Sequence, residues 1–158
     1  MVRGIVEKEK RTLTKLQVNA LKSAKEYLEC SGYSREGLIR QLHQADNYTL
    51  SDATSAVNSL NIDWINQAII SAKEYLECSG YSREGLIRQL HQADNYTLSD
   101  ATSAVNNLNI DWRNEAVRSA KEYLEYSGYS REGLIRQLHQ ADSYTLNEAT
   151  YGAEETLY

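Results

Sequence analysis

From Asp63 to Ser79 the residues Trp64, Ala68, Ala72, Tyr75 and Leu76 recur at three- and four-residue intervals, the period of one helix face. Asp63 stands where it can cap the first turn, and Gly80 stands where a left-handed residue ends a helix. The spacing predicts one helix of about sixteen residues, roughly 25 Å long. In the next segment Ser82 can cap a short helix that buries Leu86, Ile87 and Leu90. Gly85 lies in its first turn, where helix propensity favours almost any other residue. The long helix is therefore expected to pass too close there for a side chain. After a polar turn at Ala93–Tyr96, Thr97 and Asp100 form a second capping signal. Leu98, Ala101, Val105 and Leu108 then mark one face of a third helix.

This pattern repeats. Ser23-Ala24-Lys25-Glu26-Tyr27-Leu28-Glu29 recurs at Ser71 and at Ser119, a period of about 48 residues. The first two copies differ only at Ser59/Asn107, Ile65/Arg113, Gln67/Glu115, Ile69/Val117 and Ile70/Arg118, which means recent duplication or a built sequence. The expected fold is all-α: three tandem helix-turn-helix-like repeats of about 48 residues joined by long shared helices. The expected divisions are a basic N-terminal arm at 1–12, repeats at 13–62 and 63–110, and a third repeat at 111–158 with an acidic C-terminal cap. The first long helix starts differently, with a capping box of Thr14 and Gln17 and with Leu16 where Trp64 and Trp112 stand later. The last helix has Ala153 and Thr156 in place of Val105 and Leu108, preceded by Tyr151 and Gly152, and is expected to be polar enough to face water. One unit alone has too few buried residues to be stable, so stacking on a neighbour is expected to supply cooperativity.

Composition narrows the function. With 41% hydrophobic and 25% charged residues the chain resembles a soluble globular protein, and no apolar run approaches the roughly 20 residues of a membrane-spanning helix. The N-terminus has no secretion or lipoprotein signal, so the expected location is cytoplasmic as written, or the cell surface if a lipoprotein signal was removed. The net charge of −5 is uneven: Arg3, Lys8, Lys10, Arg11, Lys15 and Lys22 against Glu7 and Glu9 make the start basic, while the repeats are acidic. Cys30 and Cys78 hold equivalent places, and Tyr126 replaces them in the third copy, which points to a semi-buried packing position. With no Phe in the chain, 12 Tyr and 2 Trp supply the aromatic packing.

A helix-turn-helix shape invites a DNA-binding reading, with the third helix in the major groove. That helix, Leu50 to Leu60, carries no Lys or Arg and presents Asp52, so it lacks the cations that neutralise phosphate. His43, His91 and His139 occur singly, without a second ligand at metal-site spacing, and are expected to be solvated or hydrogen-bonded surface residues. Gly-Tyr-Ser-Arg-Glu-Gly is not a nucleophile elbow, no catalytic spacing is present, and neither a metal nor a cofactor is expected. Trp64 and Trp112, together with Gly37, Gly85 and Gly133, are expected in the structural core. Tyr48, Tyr96 and Tyr144 sit in the turns before the third helices, either as recognition residues or folded over their own units.

The segments Ala24-x-x-Tyr27-Leu28, Tyr33-Ser34-Arg35-Glu36-Gly37-Leu38-Ile39-Arg40-Gln41-Leu42, Ala53-x-x-Ala56-Val57-x-x-Leu60 and Asp63-Trp64-x-x-x-Ala68 together resemble the Ltp-like host-cell-surface-exposed lipoprotein repeat. The resemblance covers about 20–158. It departs from the family at Tyr33, Tyr81 and Tyr129, where Phe is usual, and in having no lipobox cysteine before the repeats. It implies a helix-turn-helix repeat protein of Gram-positive bacteria or their prophages, of a kind that excludes a second phage by blocking DNA injection.

The expected activity is therefore non-enzymatic protein binding of the superinfection-exclusion type. The expected contacts are Asp52, Asp100 and Glu148 with the neighbouring Tyr48, Tyr96 and Tyr144. The expected partner is a protein, such as a phage injection or tape measure component or a host defence protein, rather than nucleic acid. The alternatives are an intracellular inhibitor of a host defence enzyme acting through its acidic faces, and a DNA-binding regulator using the basic arm.

Overall fold

The computed structural model describes residues 12–158, so the basic arm expected at 1–12 lies, but for Thr12, outside the described residues. Three units follow one another. The first contains α1 (Lys15–Cys30), α2 (Arg35–Arg40) and α3 (Leu50–Ser59). The second contains α4 (Trp64–Cys78), α5 (Arg83–Arg88) and α6 (Leu98–Asn107), and the third α7 (Trp112–Tyr126), α8 (Arg131–Arg136) and α9 (Leu146–Leu157). Among the described residues there is no strand.

The helices start where the side-chain caps predict. Thr14 accepts from the Gln17 N–H at 3.2 Å while the Gln17 side chain accepts from the Thr14 N–H at 3.1 Å. Asp63 accepts from the Asn66 N–H at 3.1 Å, Ser82 from that of Gly85 at 2.9 Å, and Thr97 from that of Asp100 at 3.0 Å. The ends differ from expectation. Helix α4 closes on Ser79 in an extended conformation (φ −156°), and no described glycine has positive φ, so Gly80 is not a left-handed cap. Helix α5 continues into a π-helical turn, Gln89–Ala93, in which the Asp94 N–H reaches back to the Gln89 carbonyl at 3.3 Å. Asn95, at φ 61°, then takes the left-handed position, and the Tyr96 N–H closes on the Leu90 carbonyl at 3.1 Å. Asn47 and Ser143 repeat this turn at φ 60° and 64°.

Each unit packs its long helix against its third helix around a small core. In the first, Ala24, Leu38, Ile39, Leu42, Ala53 and Val57 are buried, and Tyr27, Tyr33 and Trp64 pack against them. Trp64 is the first residue of α4, while Ala68 and Ala72 of the same helix belong to the second core, against which Trp112 of α7 packs in turn. This is how the long helices are shared. Each plants its tryptophan in the preceding unit and builds the next with the rest of its length. Tilted tyrosine pairs, Tyr27–Tyr33 at 5.7 Å and Tyr75–Tyr81 at 5.8 Å between centroids, fill space that phenylalanine often takes.

In the third unit Leu157 packs against the core. Gly152 replaces the alanine of α3 and α6, and a Cβ there would lie 2.7 Å from the Ala116 carbonyl oxygen. Ala153 is fully buried, so the inner face of α9 does not meet water as expected: its smaller residues let it sit closer to α7. Only its outer residues, Glu154 and Glu155 among them, are exposed.

Two further expectations are corrected. Cys30 and Cys78 are exposed rather than semi-buried, and Tyr126 is 88% exposed. Cys78 falls two residues past Leu76, about 200° around the helix from the packed face. At Gly37, Gly85 and Gly133 the close neighbour of an added Cβ is the capping serine, with Ser82 Oγ 2.9 Å from the Cβ position of Gly85 and Ser130 Oγ 3.0 Å from that of Gly133. The long helix is not what excludes a side chain there.

Gly32 and Gly80, at the junctions, do meet a long helix, that of the next unit. A Cβ on Gly32 would stand 2.7 Å from both the Gln67 carbonyl oxygen and the Ser71 nitrogen. One on Gly80 would stand 2.7 Å from the Ser119 nitrogen and 2.9 Å from the Glu115 carbonyl oxygen. The bare loop thus lies directly on the next unit's helix. Glu74 accepts there from the Ser31 hydroxyl at 2.8 Å and the Gly32 N–H at 3.4 Å, and Glu122 accepts from Ser79 at 2.6 Å and Gly80 at 3.0 Å. Gln67 accepts from the Tyr33 N–H at 3.2 Å, and the Ser34 and Ser82 hydroxyls donate to the Asp94 and Asp142 carbonyls. The equivalent Gly128 has nothing within 4 Å of its Cβ position.

Gly80→Ala should therefore cost about 1–3 kcal/mol through overpacking against backbone. Gly128→Ala should stay within about 0.5 kcal/mol of wild type. Urea denaturation of the two variants measures the difference, and equal effects would remove the steric account of the junction.

Candidate functional site

The acidic residues singled out from the sequence are first of all parts of helix caps. Thr49 accepts from the Asp52 N–H at 3.1 Å and its hydroxyl donates to the Asp52 carboxylate at 2.8 Å. Glu148 completes a capping box, accepting from the Thr145 N–H at 2.9 Å while Thr145 accepts from the Glu148 N–H at 3.3 Å. Asp52, Asp100 and Glu148 thus each place a negative charge in the first turn of a third helix, where the helix dipole favours it, and each remains partly exposed.

The tyrosines of the preceding turns are not an exposed recognition surface. Tyr96 is 3% exposed and Tyr144 1%, while Tyr48 is half-buried. The left-handed residue before each one turns the ring back onto its own long helix. There Tyr96 and Ser71 pair their hydroxyls at 2.9 Å, and Tyr144 and Ser119 theirs at 2.8 Å. Tyr48 and Ser23 do so more loosely at 3.3 Å. Burial raises the phenol pKa of Tyr96 and Tyr144 well above the usual range. The histidines lock the same turns: the Nδ1–H of His43, His91 and His139 donates to the carbonyl of Tyr48, Tyr96 and Tyr144 at 2.7, 2.8 and 2.7 Å. Of the two readings of these tyrosines, the ring folded over its own unit is the one the structure adopts.

What the turns leave exposed is leucine. Leu50, Leu98 and Leu146 are 57, 56 and 59% exposed, so Leu98 does not belong to the buried face assigned to it from spacing. That face is formed by Ala101, Ala104 and Val105, and Leu98, as the first helical residue, stands at the margin of this arc. A leucine directly after a capping threonine, three times over, was the available signal. Each unit therefore offers an apolar side chain two residues from a carboxylate, on a rigid helix start.

A second feature is a cleft at each junction. The one between the second and third units has a volume of about 670 Å³, with Tyr81, Arg88, Gln89, Glu122 and Asp142 in its wall. The one between the first and second, of about 370 Å³, includes Arg40, Glu74 and Asp94. Tyr75 donates to Asp94 at 2.8 Å and Tyr123 to Asp142 at 2.8 Å. Desolvation nonetheless raises both carboxyl pKa values, with Glu74 and Glu122 adding to it and Arg40 and Arg88 opposing it. Among the described residues no group of three or more His, Cys, Asp and Glu is placed to hold a metal ion. Also among them, no helix is long and apolar enough to cross a membrane.

The profile of the family described as host cell surface-exposed lipoprotein matches the chain three times, at residues 15–60, 63–108 and 111–155. Each match runs from the start of a long helix to its third helix. A solved structure, that of Ltp, a superinfection exclusion protein from the Streptococcus thermophilus temperate phage TP-J34, is similar over 62% of this chain and 100% of its own. The identity is 32% and the TM-score 0.59. Among curated proteins none matches the chain.

The raised carboxyls carry a pH dependence. Folded Asp94 and Asp142 hold their protons more tightly than the unfolded chain does. Their contribution to stability is therefore fully present below about pH 4 and falls as pH rises through the raised values. The melting temperature should fall as pH rises above about 4, and by less in the Asp94→Asn, Asp142→Asn double variant, which keeps a hydrogen-bond acceptor for each tyrosine.

Proposed function

The chain belongs to the family of host cell surface-exposed lipoproteins, and we propose that it serves phage superinfection exclusion at the cell surface by occupying a protein of the incoming phage. The observation that carries the binding part of this reading is the exposed leucine that opens each third helix, with a partly exposed acid two residues on in the same turn: Leu50 and Asp52, Leu98 and Asp100, Leu146 and Glu148. Covering an exposed leucine at one equivalent position per unit removes apolar surface from water and so favours binding. The adjacent carboxylates select a partner with basic side chains and disfavour nucleic acid. Because the helices that carry these pairs are pinned by caps, by buried tyrosines and by histidine bonds, their first turns are pre-organised and lose little freedom on binding.

Three such helix starts in one chain suit a repetitive or oligomeric target, since each engaged unit raises the effective concentration of the next. A phage injection or tape measure component is the partner this reading expects. The phage would then adsorb normally and fail at DNA entry.

The test is expression of the chain on the surface of a sensitive host, with phage adsorption and DNA entry scored separately. Wild type should leave adsorption unchanged and lower plaque formation. The Leu50→Lys, Leu98→Lys, Leu146→Lys triple variant should lose at least about tenfold in capture of the phage protein, with stability within about 0.5 kcal/mol per site. Unchanged plaque counts with wild type would sink the exclusion reading. Unchanged capture by the triple variant would sink the choice of site.

A further inference from the structure

We propose that this chain associates head to tail with a second copy of itself, the loop Ser127–Ser130 of one copy docking on α1 of the next. The junction chemistry is met twice within the chain and, among the described residues, is left open at both ends. In the inner junctions Ser31 and Gly32 dock on Glu74, and Ser79 and Gly80 on Glu122. The following cap serines, Ser34 and Ser82, are 2% exposed and donate to the Asp94 and Asp142 carbonyls. In the third unit the same sequence, Ser127-Gly128-Tyr129-Ser130, is present, Ser127, Gly128 and Ser130 are exposed, and nothing lies within 4 Å of the Gly128 Cβ position.

The complementary face is present at the other end. Ser23, Glu26 and Asp46 occupy in the first unit the places of Ser71, Glu74 and Asp94 in the second, and Glu26 and Asp46 are exposed where Glu74 and Asp94 are half-buried. The groups that differ are those that would interfere. An inner junction needs a tryptophan planted in the preceding core, but Leu157 packs against the third core and α1 carries Leu16, 59% exposed, at the tryptophan position. An end without a vacancy meets a start without a plug. Asn19 stands where Gln67 reaches the Tyr33 N–H and is shorter by one methylene, so this contact is weaker than the inner junctions, which also have covalent linkage in their favour. Because the two docking surfaces are different, the contact is heterologous and continues the rod instead of closing a pair.

Sedimentation of the full chain over a concentration series tests this directly. The mass should be 18.0 kDa when dilute and should rise past twice that value as the concentration approaches the millimolar range. Gly128→Ala should leave circular dichroism and unfolding unchanged, because its Cβ meets nothing in the free chain, yet shift association to concentrations at least about tenfold higher. Glu26→Lys, on the opposite face, should do the same. A mass fixed at 18.0 kDa up to millimolar concentration, as would result if the N-terminal residues covered α1, overturns the proposal. Association unaffected by both variants overturns it as well. The readout needs no phage, so its failure leaves the exclusion reading standing.

Discussion

The architecture rests on one close approach, that of a bare glycine backbone to the side of the next long helix. At Gly32 and Gly80 the loop lies so near that a methyl group would overlap main-chain atoms, and this nearness lets Glu74 and Glu122 accept from a hydroxyl and an N–H at once. A carboxylate with two donors is well satisfied even when half-covered, and the charge-assisted bonds are among the stronger ones available to a soluble protein. The tryptophans act in the same direction. Trp64 and Trp112 each bind the fate of one unit to the helix of the next, so an opened junction exposes part of a core. Stability of a nearest-neighbour kind follows, in which a unit is held mainly by what it touches on either side.

That constraint also decides which residues are left for recognition. The turns between second and third helices are tied down by a left-handed residue, by a histidine and by a tyrosine hydroxyl against a serine, and they have little freedom to adapt. The third helices have their inner faces occupied by alanine and valine against the long helix. Their first turns are what remains, and there every unit has an exposed leucine and, two residues on, a partly exposed acid. The site we propose lies at helix starts, on backbone held by side-chain caps, and not on the loops.

Most of the architecture was legible in the sequence because it depends on local chemistry: the 48-residue period, the capping threonines and serines, and the alternation of small and large apolar residues that defines the long helices. What escaped reading depends on contacts distant in the chain. Gly80 looks like a helix terminator because that is the commonest role of a glycine in that position, and only Ser119 and Glu115 reveal that it is a contact surface. Gly85 was assigned a clash with the long helix, but its constraint comes from its own capping serine. Periodicity put Leu98 inside, and a turn position left Tyr96 open between a recognition residue and a ring folded over its own unit. The structure exposes the leucine and buries the tyrosine, which follows a left-handed Asn95. The candidate site was thus half visible, in its acids, and half hidden, in its leucines.

The junction is also indifferent to position. Any unit with Ser-Gly-Tyr-Ser after its long helix carries the loop that meets the matching glutamate and serine of another long helix, and the first two copies are nearly uniform in sequence. Recombination out of register between copies would delete or insert one whole unit and leave every new boundary chemically complete. The solved structure of the similar phage protein aligns over its whole length with 62% of this chain, about two periods' worth. Reach and valency in such a protein can evolve in whole steps, by counting, without any new contact having to be invented.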